Sequence, residues 1–240
     1  RPAVVSGGSF LPMLKRYLKR LGRGLGFEVK KWRWSPAYLR QSIEAQTVVD
    51  VGAGFGTIEL HRAFPEAKFL LVEPIVDYRE HLEKLARRYD CELLFKGLGE
   101  REEVREFMAD PGQLTRSSAQ LRTGLTDTGA ALESRLVEVT TLDQLLAERP
   151  SLARPLVLKI DTEGFELEVI RGGRDFLRQT DLIIAEVSIG RRFEGGYSLE
   201  EFTAELGRCG FSAFDVLRVS HVRGAPGAKF ADMVFRRREE

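Results

Sequence analysis

The run Val48-Val49-Asp50-Val51-Gly52-Ala53-Gly54-Phe55-Gly56 is an apolar strand entering a glycine-rich turn, and a helical pattern follows from Thr57. Glycines at such a turn permit positive φ and close approach of a ligand to the backbone, and the start of the following helix favours a negative group. The spacing is GxGxG. A dinucleotide fingerprint needs its third small residue at position 57, which is Thr57, so a dehydrogenase is disfavoured. Asp50, two residues before the first glycine, fits badly beside a pyrophosphate and well beside an amino group.

The next apolar run, Phe69-Leu70-Leu71-Val72-Glu73-Pro74, ends in a carboxylate 21 residues after Gly52. There the second strand ends beside the first, and an acid can accept hydrogen bonds from both hydroxyls of a ribose. A cofactor with a ribose, an amino group and no phosphate meets both requirements. S-adenosylmethionine is such a cofactor: ribose at Glu73, methionine part over Gly52–Gly56, ammonium near Asp50. The cofactor-binding set read from the sequence is Asp50, Gly52, Gly54, Gly56, Glu73, Pro74 and Gly97.

Outward from these motifs the chain alternates short apolar runs with helical patterns, as βαβ units around a parallel sheet do. Strands are expected at Thr47–Val51, Lys68–Glu73, Glu92–Lys96, Leu156–Ile160 and Leu182–Val187. Helices are expected at Thr57–Phe64, Asp77–Tyr89, Thr141–Glu148, Glu163–Gly172 and Ser198–Cys209. Ala213–Val219 and Lys229–Phe235 follow one another across a turn-rich stretch and read as an antiparallel hairpin closing one sheet edge. Val104–Met108 and Leu136–Thr140 read as extra strands around Asp110–Gly129, a Gly-, Ser- and Thr-rich stretch long enough to be a functional loop. Arg116, Ser117 and Ser118 lie in it.

The 240 residues carry a net charge of +1 that is unevenly divided. Residues 1–35 hold nine Lys or Arg against Glu28 alone, so +8, and the remainder sums to −7. Phe10, Leu11, Leu14, Tyr17, Leu18 and Leu21 fall at helical spacing with Lys15, Arg16, Lys19 and Arg20 around them, an amphipathic basic helix. A second helix is expected after Ser35, with Pro36 at its first position. Trp32 and Trp34 read as packing the second helix onto the domain, or else as flanking the substrate entrance. Residues 1–45 are thus expected to form a basic helical extension and 46–240 the cofactor-binding domain. Cys91 and Cys209 lack the spacing of a zinc or redox motif and read as buried structural thiols in a reducing compartment. No apolar run approaches the roughly 20 residues needed to cross a bilayer, and the start lacks signal-peptide order, so a cytoplasmic protein is expected.

In Leu156-Val157-Leu158-Lys159-Ile160-Asp161-Thr162-Glu163-Gly164-Phe165-Glu166 a strand ends at Asp161 and a helix bearing Glu163, Glu166 and Glu168 is expected to follow. Acids in a first helical turn are explained by capping and the helix dipole. Asp161, at the end of a central strand, points into the cleft that the other motifs define. With Val169, Gly172 and Gly173 this stretch resembles the KID-x-EG-x-E-x-x-VL-x-G signature of the FkbM family of S-adenosylmethionine-dependent methyltransferases. Asp50–Gly56, Val72-Glu73-Pro74, Ser117-Ser118 with Leu121, Thr141-Leu142-Asp143 and Ala185-Glu186-Val187 agree in order, so the resemblance spans about 46–190. Where the family commonly has Asn, this chain has Gly54.

The resemblance implies an α/β, Rossmann-like class I methyltransferase: a mostly parallel seven-stranded sheet, a C-terminal antiparallel hairpin and here an N-terminal helical extension. It implies methylation of a hydroxyl on a polyketide, sugar or similar small molecule. An alkyl hydroxyl is a poor nucleophile, so a base is useful. Asp161 is the first candidate, Glu163 the second and His221 a distant third, while His61 and His81 read as solvated helix residues. A metal-assisted alternative places Mg²⁺ between Asp161 and Glu186, at the ends of adjacent strands; it is not favoured. Competing readings are a glycan- or lipid-linked acceptor, with residues 10–34 touching a membrane surface, and a non-catalytic cofactor binder. A nucleic-acid substrate is suggested only by the basic segment, which lacks an RNA-binding signature. Oligomeric state stays open.

Overall fold

The computed structural model describes Tyr17, residues 32–109, 133–190, 192–193, 195–221 and 226–239. The chain divides into two compact units, Arg1–Trp32 and Arg33–Glu240. In the first, Tyr17 is helical and exposed, as is the Trp32 side chain; the other residues of the expected basic helix lie outside the described residues, as do Arg116, Ser117, Ser118 and Leu121.

The second unit begins with helix α1 (Pro36–Ser42), where Ser35 caps the Tyr38 N–H and proline stands in the first turn. A doubly wound core follows: β1 (Thr47–Val51), α2 (Ile58–Ala63), β2 (Lys68–Val72), a 3₁₀ turn (Val76–Tyr78), α3 (Arg79–Ala86) and β3 (Cys91–Leu94). The chain then makes β4 (Gly97–Leu98), β5 (Glu103–Ala109), β6 (Glu133–Thr140) and α4 (Leu142–Glu148). It returns to the main sheet with β7 (Leu156–Ile160), α5 (Glu166–Arg171), α6 (Arg174–Gln179), β8 (Leu182–Ser188), α7 (Leu199–Arg208), β9 (Phe211–His221) and β10 (Ala228–Arg237).

The main sheet has seven strands in the order β3-β2-β1-β7-β8-β10-β9. The first five are parallel, β10 runs antiparallel to β8, and β9 forms the outer edge. This is the expected Rossmann-like sheet with its C-terminal hairpin. Strand order reverses between β1 and β7, the switch point beyond which open α/β sheets bind their ligands. Both faces are covered, so the central strands are apolar on both sides. Leu39, Leu60, Leu82, Phe69 and Leu71 form one core, and Leu142, Val169, Ile170, Phe176 and Phe202 pack with Val49, Leu158 and Ile183 into the other.

Several expectations shift. The stretch 91–98 splits: β3 stops at Leu94, and Gly97 starts a second sheet, β4-β6-β5, where it pairs with Val139. The helix expected from Glu163 begins at Glu166, because Glu163 and Gly164 take positive φ (52° and 111°), and α6 follows as a separate helix. His61 is not solvated. It is fully buried, its ring 4.1 Å from Phe69 and 4.7 Å from Tyr89, and neither ring nitrogen has a hydrogen-bond partner. Both cysteines are free but only half-buried. Among the described residues no helix is long and apolar enough to cross a membrane.

Burial holds the His61 pKa below its ordinary value, partly offset by Asp50. The unfolded chain therefore binds a proton there before the folded one does, and stability is lost as pH falls below about 6.5. His61→Phe, which keeps the ring stack and removes two unpartnered nitrogens, is expected to gain about 1 kcal/mol at neutral pH. Its advantage should grow toward pH ~5 in parallel urea titrations; a pH-independent difference would contradict this reading.

Candidate functional site

The chain leaves β1 at Val51 and turns at once: the N–H groups of Gly52 and Ala53 both donate to the Val72 carbonyl (2.9 and 3.1 Å). Gly52, Gly54 and Gly56 have φ of 70°, 53° and 86°. At Gly52 only glycine fits, because a Cβ would lie 1.8 Å from the Asp161 carbonyl oxygen. This close approach brings the turn after β1 against the end of β7, at the switch point. At Gly54 the nearest atoms to a Cβ would be those of the Tyr78 ring, at 3.8 Å. Phe55, at the tip, is half exposed and meets Tyr78 and His81 edge-on.

Glu73 closes the turn from the side of β2. One carboxylate oxygen accepts the Gly54 N–H and the other the Ile75 N–H, each at 2.8 Å, the latter reached because the chain bends at Pro74. Burial pushes the carboxyl up to about 7 despite these two bonds, with Lys159 also opposing the shift and Asp50 adding to it. A carboxylate has about four lone-pair positions, so two N–H donors leave it short of partners. Two ribose hydroxyls would supply them, which makes Glu73 chemically suited to the group expected there.

Asp50 is placed differently from the expectation that it faces an ammonium. It is 1% exposed, its Oδ2 accepts the Thr57 N–H at 3.3 Å, and its Oδ1 lies 3.0 Å from the Lys159 ammonium. Asp50 and Lys159 are register partners on β1 and β7, so they share one face of the sheet. Gly97 also has another place, in the small sheet, where a Cβ would meet the Val139 side chain at 3.2 Å.

Asp161 follows β7, its N–H donating to the Val51 carbonyl at 3.0 Å, and its side chain is 36% exposed. Glu166 shapes the loop that carries it. This buried carboxylate accepts the N–H groups of Thr162 (2.9 Å) and Gly164 (3.1 Å) and the Tyr197 hydroxyl (2.6 Å). Glu163, lifted out of the helix, pairs with Arg192 at 2.7 Å. The other arm of Arg192 holds Glu186 at 2.6 Å, and the guanidinium lies over the Phe230 ring. Burial, and after it Asp161, raise the Glu186 carboxyl, while Arg192 draws it back. Across the sheet Glu186 faces Asp232, which accepts from Trp34 (2.5 Å) and Arg218 (2.7 Å). The structure thus gathers Asp50, Gly52, Gly54, Gly56, Glu73 and Asp161 around one turn and sets Glu163 and Glu186 on an arginine beside it. His221 is exposed at the end of β9. Among the described residues no group of three or more His, Cys, Asp or Glu is arranged to hold a metal ion.

Sequence reading missed Lys159, Glu166, Arg192 and Tyr197. Lys159 and Glu166 stand inside the quoted motif, so their presence was visible and their partners were not. Arg192 and Tyr197 lie in the β8–α7 connection, where nothing local marks them.

The FkbM methyltransferase domain matches residues 50–213 of the chain. No curated protein sequence is significantly similar to it. Among solved structures it is similar to the magnesium protoporphyrin IX methyltransferase of Synechocystis PCC 6803 with bound S-adenosylmethionine, at 11% identity and TM-score 0.47, covering 99% of this chain and 87% of that one. It is likewise similar to the Burkholderia thailandensis 1,6-didemethyltoxoflavin-N1-methyltransferase, at 11% identity and TM-score 0.46, covering 100% and 93%.

Proposed function

The chain belongs to the FkbM methyltransferase family, and on that premise we propose that it moves a methyl group from S-adenosylmethionine to a hydroxyl oxygen of a small molecule. The observation that carries the proposal is a partly exposed carboxylate, Asp161, whose backbone abuts the glycine-rich turn at Gly52 and whose strand, β7, is separated only by β1 from the strand that precedes Glu73. S-adenosylmethionine supplies a methyl group on a sulfonium centre, open to in-line displacement by an oxygen. Glu73 accepts the ribose hydroxyls, and Pro74 turns the chain so that Ile75 steadies the carboxylate. The backbone of Gly52–Gly56 supports the methionine part. Asp50, engaged by Lys159 and Thr57, serves by shaping the turn rather than by touching the ammonium.

Asp161 accepts the hydroxyl proton in this reading. Holding oxygen and methyl in line at about 3–3.5 Å supplies much of the remaining rate. Glu163 bounds the acceptor side through Arg192 and is the weaker base candidate, since its carboxylate is already paired with a cation. The metal alternative is disfavoured for a similar reason: Glu186 would have to leave a buried guanidinium to ligate Mg²⁺.

The test is product chemistry. The protein is incubated with S-adenosylmethionine labelled with ¹³C at the methyl group and a panel of hydroxylated sugars, polyols and polyketides, and products are read by NMR and mass spectrometry. A methoxy carbon is expected. Transfer only to nitrogen or carbon of matched acceptors would overturn the oxygen assignment while leaving the family intact.

A further inference from the structure

Lys159 is a lysine with its side chain only 7% exposed, in the middle of a sheet. Lysines are almost never so buried unless paired. Its ammonium donates a hydrogen bond to the Gly52 carbonyl oxygen at 3.0 Å and forms ion pairs with Asp50 Oδ1 at 3.0 Å and Asp161 Oδ2 at 3.7 Å. These are the first peptide of the turn, the acid before the turn and the candidate base. Burial disfavours the charged ammonium, but Asp50 and Asp161 outweigh it, and the pKa stands above the ordinary lysine value.

The Gly52 contact has a specific consequence. The peptide between Gly52 and Ala53 is held at both ends, its oxygen by Lys159 and its N–H by the Val72 carbonyl. A peptide is planar, so fixing both ends fixes its rotation. The next residue but one, Gly54, can then aim its N–H at Glu73. Gly52 has no side chain to hold its backbone, and a buried ammonium from the neighbouring strand does so here.

We infer that Lys159 is a positioning residue for the cofactor: its bond to the Gly52 carbonyl sets the shape of the glycine-rich turn, while Asp50 and Asp161 hold the ammonium in place. The inference rests on the cofactor reading above. It predicts that Lys159 affects cofactor affinity separately from its ion pair with Asp50.

The test takes Asp50→Asn as its reference, which preserves the turn bond and removes the pair. In D50N/K159M the pair is removed as a unit and the bond to Gly52 is lost with it; in D50N/K159Q the side-chain amide can still donate to Gly52. Thermal melting establishes that each variant is folded, and calorimetry with S-adenosylmethionine reads affinity. D50N/K159M is expected to bind at least fivefold more weakly than D50N, and D50N/K159Q within fivefold of it. Affinity of folded D50N/K159M within fivefold of D50N would make Lys159 only a charge partner and overturn the inference. Should D50N/K159M not fold, D50N/K159Q decides alone: affinity within fivefold of D50N supports the donor role, and a larger loss overturns it. Wild-type protein that binds no S-adenosylmethionine would instead remove the cofactor reading itself.

Discussion

Asp161→Asn is expected to lower turnover by about 10²- to 10⁴-fold, the range a general base contributes, once a hydroxyl acceptor has been identified. Its affinity for S-adenosylmethionine should stay within about threefold of wild type, since the carboxylate lies outside the hydrogen bonds that shape the turn. Asparagine keeps the volume and the main-chain bond from residue 161 to the Val51 carbonyl. Lys159 loses a partner at 3.7 Å but retains Asp50 and the Gly52 carbonyl, so the melting temperature should move little. Parallel calorimetry and single-turnover kinetics check both halves. Undiminished turnover would remove Asp161 from the role of base; a loss of cofactor affinity as large as the loss of turnover would recast it as a binding residue.

Glu73→Ala is expected to weaken S-adenosylmethionine binding by about 10²- to 10⁴-fold, because two hydrogen bonds to a buried carboxylate are worth roughly 1.5–3 kcal/mol each. A pH signature separates this from general damage to the turn. The free carboxyl, raised by burial to about 7, is half protonated near neutrality. Ribose hydroxyls that donate to it favour the ionised form, so binding releases a proton below that value. Affinity should therefore rise with pH, by at most about tenfold per unit, and level off above about 7. Glu73→Gln, which retains one acceptor oxygen, should bind more tightly than the alanine variant and lose the pH dependence.

These sites were legible to different depths, for physical reasons. The turn after β1 and the end of β7 are written locally: an apolar strand followed by glycines at fixed spacing, or by an acid, folds the same way wherever it occurs. The switch point follows from strand order, which βαβ alternation implies. The cluster around Asp161 was not legible, because its bonds join residues far apart in sequence. Lys159 reaches back 107 positions to Gly52, and Tyr197 reaches 31 to Glu166. The ion pair on the Asp50 carboxylate is not legible, because the register of β1 on β7, which delivers Lys159 to it, cannot be read from either strand alone. The burial of His61 is hidden for a related reason: Glu59 and Arg62 stand near it, so its helix reads as polar, and the aromatic rings that bury it come from β2 and from beyond α3. The start of α5 shifted because the Glu166 side chain gathers Thr162 and Gly164 into a loop, leaving Glu163 in a left-handed conformation that no propensity anticipates.

The basic segment ahead of Arg33 and the fold behind it are separate compact units. Helix α1 belongs with the fold: Tyr38 and Arg33 hold Asp215, Trp34 holds Asp232, and Arg236 donates to the Ser42 carbonyl. The compact unit that carries the sheet therefore starts at Arg33, ahead of the boundary expected at residue 46.

Calorimetric titration of the wild-type protein and Glu73→Ala with S-adenosylmethionine tests the central claim most directly. Saturable one-to-one binding by the wild type, weakened at least about a hundredfold in the alanine variant while the fold is preserved, is the expected result. Equal binding by both proteins, or none by the wild type, would contradict the assignment of the glycine-rich turn and Glu73 as the cofactor site.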